Sequence, residues 1–219
     1  MAPSRDEFTA AEWGIIQSHG SPYRVQQFLN RLPYNSETEQ ETLRSFRGVV
    51  THQSAHCLEA ALAAAVVLEH ASYPPLLLDL ESQDRLDHVV FLYQQRGKWG
   101  TVARSRDPGL HGRKPVFDDV RQVVESYAEP FVDFSGRIVG YGIFDLRELG
   151  SYDWRLSRRN VWKVQRTLIG MRHQQFHMPN AEYQYWLERY SAYKRRHPQR
   201  KPLYYPNRRA WTSGYPRQG

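Results

Sequence analysis

The chain has 219 residues, enough for one good-sized domain or one domain with an extension. Hydrophobic residues make up 40%, which permits a packed core, and the richest apolar run (60–68) is too short to cross a membrane. The single cysteine excludes an intramolecular disulfide and a cysteine-rich zinc site. Because the polar N-terminus has no signal-peptide hydrophobic segment, we expect a cytoplasmic protein with no membrane association.

The net charge of +7 is concentrated at the C-terminus, where residues 189–219 hold nine Lys or Arg and no Asp or Glu. This contrast predicts a domain over 1–188 and a basic extension over 189–219. Aromatic rings alternate with the cations, at Tyr190, Tyr193, Tyr204, Tyr205, Trp211 and Tyr215. Such a tail suits nucleic acid, through phosphate neutralisation and base stacking, or an anionic protein, but a solvated tail is the favoured interpretation.

Helices dominate the first third of the chain. Thr9 and Glu12 form a capping box that predicts a helix over 10–18, and Pro22 at a first helical position predicts another over 22–32. A short helix is expected at 39–49. The alanine- and leucine-rich stretch 54–70 predicts a buried central helix, because small residues let its neighbours approach closely.

Strands follow the central helix. Apolar and β-branched runs predict strands at 76–80, 88–94 and 99–105, with a turn at 96–98 that makes the last two a β-hairpin. A helix at 119–127, a strand at 136–146, a segment of undecided type at 160–169 and a helix at 181–196 complete the chain. The fold class is therefore α+β, with N-terminal helices and a central cysteine-bearing helix packed on an antiparallel sheet.

Cys57 lies in the first turn of the central helix, where unpaired N–H groups and a partial positive charge favour the thiolate. A free cysteine is more often a small buried hydrophobe, and a lone histidine at a strand end is more often a surface residue. His88, however, begins a strand from which it can face the helix N-terminus and accept the thiol proton. The two residues together predict a catalytic pair.

This order of residues resembles the transglutaminase-like superfamily, which shares a papain-like core. Cys57 starts a helix of small residues, His88 begins a strand about thirty residues later, and Gly97-Lys98-Trp99 closes a hairpin. The resemblance covers about residues 20–130. A subgroup of uncharacterised bacterial proteins is similar also in the continuation Trp99-Gly100, Ser105, Gly109-Leu110, Arg113 and Pro115-Val116. The resemblance implies cysteine-dependent acyl chemistry without a cofactor.

The third catalytic position departs from the family pattern, because Ala103 stands where the family has an aspartate. Alanine cannot orient an imidazole. Ser105 is the favoured replacement, since strand period places it on the same face as Ala103. Asp107 is a second candidate, and a degenerate site without an orienting residue is a third.

Several neighbours are candidate oxyanion or substrate-binding residues: Gln53, Asp87, Trp99 and Arg113. The resemblance implies Gln53 as an oxyanion donor, while Asp87 is placed to modulate His88. Arg113 suits a carboxylate or phosphate but equally suits the surface. Asp79, Glu81, Asp84 and Asp87 form either a solvated loop or a site for a basic substrate group. His52 and His56, four residues apart, would need a third ligand to bind a metal, so no metal is expected.

The sequence thus predicts acyl transfer, or amide or thioester hydrolysis, through a Cys57 thioacyl intermediate, on a peptide or a small molecule. The alternatives are a non-catalytic binding module of the same fold and a nucleic-acid-associated protein that acts through its tail. The acyl acceptor, water or amine, and the oligomeric state are not readable from the residues.

Overall fold

The computed structural model describes residues 2–200 and 202. Within that part of the chain seven α-helices and five strands follow in the order α1 Ala10–Ser18, α2 Pro22–Arg31, α3 Phe46–His52, α4 Cys57–Glu69, β1 Leu76–Ser82, β2 His88–Gln95, β3 Lys98–Val102, α5 Val120–Phe131, β4 Ile138–Asp145, α6 Trp162–Gly170, β5 Gln174–Gln175 and α7 Asn180–Arg196. No described helix is both long and apolar enough to cross a membrane.

The strands form one antiparallel sheet in the order β3-β2-β1-β4-β5. β1 lies at the centre, with Leu80 opposite His88 on one side and Tyr141 on the other. The turn between β2 and β3 contains Arg96 and Gly97, both at positive φ. The predicted α+β class, with a cysteine-bearing helix on an antiparallel sheet, is confirmed.

A separate hydrophobic core lies on each face of the sheet. Alternate residues of β1 point to opposite faces, so that Leu77 joins the core formed with α1–α4 and α6, while Leu78 joins the core formed with α5 and α7. The central helix α4 is buried from Leu58 to Leu68. Burial on every side explains why its sequence is apolar all round.

The N-terminal helices follow their capping signals. Thr9 and Glu12 make the expected capping box of α1, and Ser21 accepts from Arg24 N–H at the start of α2. α2 ends at Arg31, one residue before the predicted end. The segment 160–169, which the sequence left undecided between helix and strand, is largely α6.

Two predicted elements need correction. The helix expected at 39–49 is wrong in its first half, because α3 begins only at Phe46, after Ser45 caps it through Gly48 N–H. Tertiary acceptors take the preceding backbone N–H groups: Leu43 N donates to Asn160 and Arg44 N donates to Glu59.

The strand expected at 99–105 ends earlier, at Val102. The side chain of Gln26 bonds both backbone groups of Ala103, accepting from its N–H at 2.9 Å and donating to its carbonyl at 2.8 Å. The Gln26 amide thus supplies the bonds that a further ladder residue would have made.

The division at 188/189 falls inside α7, which runs to Arg196 and buries Tyr190. The first part of the basic extension is therefore helical. Tyr204, Tyr205, Trp211 and Tyr215 lie outside the described residues.

Candidate active site

Cys57 is the first residue of α4 and is partly exposed. Two histidines, His56 and His88, line the same cleft as Cys57, and both lower the pKa of its thiol. His56 is the N-cap of the same helix, and His88 is the first residue of β2. The helix N-terminus and the start of the strand thus bring the predicted pair together, and they add an imidazole that the sequence analysis did not assign to the site.

The His88 ring is held from its far side by a backbone carbonyl. It is only 4% exposed, and its Nε2 lies 2.8 Å from the Leu110 carbonyl oxygen. A carbonyl can only accept, so Nε2 carries the proton in this contact and Nδ1 is the nitrogen that can act as a base. Leu110 belongs to the 3-10 turn Pro108–Leu110 that follows the hairpin.

Ser105, the expected orienting residue, does not make this contact. Its hydroxyl accepts from Asp107 N–H at 3.1 Å, and its carbonyl accepts from Arg104 at 2.6 Å. Ser105 does line the cleft beside Cys57. The correction is that the Leu110 main chain, rather than the Ser105 hydroxyl, supplies the acceptor for His88, because the turn after β3 folds back over the histidine.

His56 lies between the helix cap and the preceding loop. Its Nδ1 accepts from Leu58 N–H at 3.3 Å, and its Nε2 lies 3.1 Å from the Thr42 carbonyl. Burial lowers its pKa, but the hydrogen bond and charge of Cys57, the charge of Glu59 and the Thr42 carbonyl outweigh it and raise the pKa to about 9. The contact with Leu58 N–H, at 3.3 Å, requires a neutral ring, whereas the raised pKa favours the charged ring at neutral pH.

The pKa of Cys57 lies well below its ordinary value. Burial raises it, but the hydrogen bonds from His56 and His88 and the charges of the two rings outweigh burial. The N-terminus of α4 acts in the same direction. These contacts favour a thiolate at neutral pH.

A buried carboxylate organises the residues below Cys57. Glu59, fully buried, accepts from Asn35 at 3.0 Å, Thr42 Oγ1 at 2.8 Å, and the N–H groups of Arg44 and His56 at 2.9 and 3.1 Å. Its Oε1 lies 3.7 Å from His56 Nε2. Glu59 therefore ties the loop before α3 to the start of α4 and holds the His56 imidazole in place.

A cleft of about 560 Å³ opens over Cys57 and His88. Tyr34, Ser105 and Asp87 are among the residues that line it. Asp87, the predicted modulator of His88, accepts from Ser82 N–H at 2.7 Å, so one of its oxygens stabilises the loop between β1 and β2.

Three predicted site residues do not line this cleft. Gln53 is exposed, ends α3 in a left-handed conformation and donates its amide to the Val50 carbonyl. Trp99 packs against the core on the α5 face, and its backbone N–H donates to the Phe117 carbonyl.

Arg113 is 1% exposed and donates to the carbonyls of Gly109, His111 and Ser126 and to the Ser126 hydroxyl, while its guanidinium lies over the Tyr127 ring. Its role here is to fasten the loop that carries Leu110. This burial corrects the expectation that Arg113 binds a carboxylate or phosphate.

Asp79 lines the cleft from the middle of β1 and is only 2% exposed. Its Oδ2 lies 3.1 Å from His173 Nε2. Burial raises its pKa to about 6, against the hydrogen bond from His173, and the negative charges of Asp87 and Cys57 act in the same direction as burial. Among the described residues no group of three or more His, Cys, Asp or Glu is arranged to bind a metal, and His52 is exposed.

Comparison with known proteins yields only distant structural similarity. No family model matches the sequence, and no curated protein matches it significantly. LapG of Legionella pneumophila is 14% identical over 68% of this chain and 85% of its own, with a TM-score of 0.37. Calcium-bound LapG is 13% identical over 77% of this chain and 92% of its own, with a TM-score of 0.39. The resemblance to the transglutaminase-like superfamily therefore stays a prediction from the residues themselves: Cys57 at a helix start, His88 at a strand start, and the hairpin turn at Trp99.

Proposed function

We propose that the protein is a cysteine-dependent hydrolase or acyltransferase that acts on an amide or thioester through a thioacyl intermediate on Cys57. One observation carries this proposal: Cys57, at a helix N-terminus, shares a cleft with His88, which lowers the pKa of the thiol and whose Nε2 is held by the Leu110 carbonyl. A positioned thiol and base with a third group that orients the base is the arrangement that nucleophilic catalysis requires.

The reaction proceeds in two steps. The Cys57 thiolate attacks the carbonyl carbon, the S–C bond forms, and the carbonyl electrons move to oxygen. When the tetrahedral intermediate collapses, the bond to the leaving nitrogen or sulfur breaks and protonated His88 donates its proton to that atom. Water or an amine then attacks the thioester, His88 accepts its proton, and the S–C bond breaks to restore the thiolate.

Two donors are candidates for stabilising the oxyanion in place of Gln53. The Cys57 N–H, at the first position of α4, has no acceptor within the helix. Tyr34 lines the cleft, and its pKa is raised by burial and then by the charge of Cys57, so its hydroxyl keeps its proton next to the site. A backbone bridge to Ala55 holds Tyr34 beside the segment that leads into Cys57.

The first test is the pH dependence of Cys57 alkylation by iodoacetamide. Because the chain has one cysteine, every modified thiol is Cys57, and Cys57→Ala provides the blank. We expect an apparent pKa well below the value of about 8.5 for an ordinary thiol. Ordinary thiol kinetics would falsify the activated nucleophile.

The second test measures acylation. With p-nitrophenyl acetate in excess, we expect a burst of p-nitrophenolate that approaches one equivalent per chain and an acetyl group on Cys57 by mass spectrometry. His88→Ala removes the base and slows the steady-state phase. A second-order reaction without a burst, unchanged in His88→Ala, contradicts the proposed mechanism.

A non-catalytic binding module is the second candidate, and Ala103 at the family's aspartate position is the observation that favours it. A module of this kind gives no acyl-enzyme, and Cys57→Ser leaves its partner affinity unchanged. Cytoplasmic localisation and a peptide or small-molecule substrate remain predictions, to be checked by fractionation and by substrate screening. Nucleic-acid binding through the tail stays a less favoured prediction, tested by deleting residues 197–219 and measuring salt-sensitive binding.

A further inference from the structure

One oxygen of a buried carboxylate that lines the cleft has no donor among the described residues. Asp79 is 2% exposed, and while its Oδ2 contacts His173, none of the described residues donates a hydrogen bond to its Oδ1. A buried acceptor without a partner costs free energy, about 1 to 3 kcal/mol and more when it is charged. Because Asp79 lines a cleft, a bound ligand can supply the missing hydrogen bond to Oδ1.

Asp79 lines the same cleft as Cys57 and His88. In the sheet it lies opposite Val89, on the face that packs against α4, the helix that begins with Cys57. On its other side Asp79 lies opposite Gly142, where a Cβ would come within 2.5 Å of the Met171 methyl group. Met171 and His173 thus occupy the space over that neighbouring strand, so a ligand of Asp79 has to approach from the cleft.

The surroundings select the charge of the ligand. The cleft is lined by six further carboxylates and by three positive charges. The carboxylates are Glu37, Glu41, Asp84, Asp87, Asp107 and Asp133, and the positive charges are Arg85, Arg106 and His56. A cluster of exposed carboxylates is ordinarily a solvated surface, and several of these accept local backbone or side-chain hydrogen bonds. Asp79 differs from them because it is buried and one of its oxygens has no donor. A cationic donor satisfies both the hydrogen bond and the charge.

We propose that Asp79 is a specificity-determining residue that binds a cationic nitrogen group of the substrate, an ammonium or a guanidinium, next to the reacting carbonyl. This inference rests on the proposed function and names its substrate class. The ammonium can belong to the acyl donor or to an attacking amine, since both would bring the same group to the same oxygen.

The test uses three methanethiosulfonate reagents that form a disulfide with Cys57: aminoethyl (cationic), ethyl (neutral) and sulfonatoethyl (anionic). Rates are divided by those for glutathione, which removes intrinsic reagent differences. We expect the wild type to prefer the cation, and Asp79→Asn to lower the cation-to-neutral ratio about tenfold, the equivalent of about 1.4 kcal/mol. The neutral rate should change less than threefold.

The matched control is Glu41→Gln, which removes a charge from an exposed carboxylate on the same cleft and should keep the preference. An equal loss in both variants assigns the effect to the general field and overturns the proposal, as does a preference that survives Asp79→Asn. If Asp79→Asn fails to fold, the wild type provides a second test, because n-butylammonium would occupy the proposed subsite. At equal ionic strength, n-butylammonium chloride must then slow the reaction of Cys57 with the ethyl reagent more than sodium chloride does. Equal rates in the two salts overturn the proposal.

Two further arms separate the sources of the cation. Faster acylation by the p-nitrophenyl ester of 4-guanidinobutyrate than by that of butyrate places the group on the acyl donor. If n-butylamine deacylates acetylated Cys57 faster than water alone does, and Asp79→Asn loses this effect, the cationic group belongs to the acyl acceptor. The iodoacetamide profile tests the activated thiol separately. A lowered thiol pKa without a preference for the cationic reagent therefore overturns the subsite alone.

Discussion

Two imidazoles with different surroundings lower the pKa of Cys57. His88 has its Nε2 on the Leu110 carbonyl, which holds its ring and leaves Nδ1 as the basic nitrogen. His56 is held by Thr42 and Glu59, and with a pKa of about 9 it remains charged at neutral pH. We infer that His88 moves protons and His56 supplies a lasting positive charge.

This division predicts distinct effects of two substitutions. His56→Asn keeps a good N-cap residue but removes the charge, so the apparent pKa of Cys57 should rise and alkylation at pH 6 should slow about tenfold for each unit of that rise. His88→Ala should also raise the pKa but in addition abolish turnover of the acetylated enzyme. Alkylation rates across pH and burst kinetics measure the two effects, and identical behaviour of the variants contradicts separate roles.

An aspartate at position 103, where the resembling family has its acid, should not orient His88 in this protein. Ala103 is fully buried in the core, and Gln26 bonds both of its backbone groups. Ala103→Asp should lower the free energy of unfolding by about 3 kcal/mol or more, because the carboxylate has no partner there. Urea denaturation measures this loss. Ala103→Asn is the uncharged control, and a gain in Cys57 reactivity in Ala103→Asp argues against our account of the orienting group.

At the scale of the element, the start of α4 is organised by Glu59. The residue is the third of the helix, yet it also accepts from Asn35 and Thr42, which precede α3. It is therefore both a capping residue and the junction between the helix and the loop that forms one wall of the cleft. The acidic side chain in the first turn also complements the helix dipole.

Glu59→Gln should destabilise the fold and loosen the site together. The Glu59 carboxylate accepts from four donors through two oxygens, whereas the glutamine amide keeps only one acceptor oxygen. We expect the free energy of unfolding in urea to fall by about 2 kcal/mol. The apparent pKa of Cys57 should rise as His56 loses its anionic neighbour. Glu41→Gln, an exposed substitution, should stay within about 0.5 kcal/mol of wild type. If the two variants are equally stable, Glu59 does not organise the start of α4 as proposed.

At the scale of the whole molecule, the cleft is assembled from distant parts of the chain. Tyr34 and Cys57 come from the N-terminal helical half, Asp79 and His88 from the sheet, and Tyr190 from α7. The sheet separates two cores, and residues from both sides meet at the end where β2 begins. The cleft consequently depends on the complete packing of the described domain.

α7 lies close to a half-buried carboxyl group, that of Glu129, and this predicts a pH dependence of stability. Burial raises the pKa of Glu129 to about 7, while Arg189 of α7 opposes the rise. The folded state thus keeps a proton that the unfolded chain releases near pH 4.5, so stability is lost as pH rises from about 4.5 to 7. Glu129→Gln should match wild type at pH 4 and exceed it by about 1 kcal/mol at pH 8, after allowance for solvent screening.

The control for this prediction is Glu125→Gln on the same helix, where the exposed carboxylate pairs with Arg121. Its removal should change stability little, with a small loss at high pH. Urea unfolding at the two pH values distinguishes the variants. If Glu129→Gln is less stable than wild type at pH 8, the ionised Glu129 carboxylate does not lower the stability of the fold and the prediction is wrong.

Local signals were sufficient for what depends on neighbouring residues. The Thr9–Glu12 capping box, the proline at Pro22 and the alanine-rich central helix predicted α1, α2 and α4 within a few residues, because caps and composition act over one or two turns. Strand periodicity and the Arg96-Gly97 turn predicted the β2–β3 hairpin. Cys57 and His88 were singled out for the same reason, since each stands at the start of a regular element.

Tertiary structure decided whatever depends on contacts between distant segments. The Leu110 carbonyl became the partner of His88 because Arg113 fastens the returning loop, and a main-chain oxygen leaves no residue type to recognise in a sequence. Gln26 ended β3, and tertiary acceptors delayed α3. Asp79 is one of several acids that the sequence leaves as a solvated loop, and only the sheet buries it on the cleft. The sequence by itself determined the α+β class and the proposed nucleophile and base, because these depend on where regular elements begin. Burial and long-range hydrogen bonds determined the partner of His88 and the proposed cation subsite.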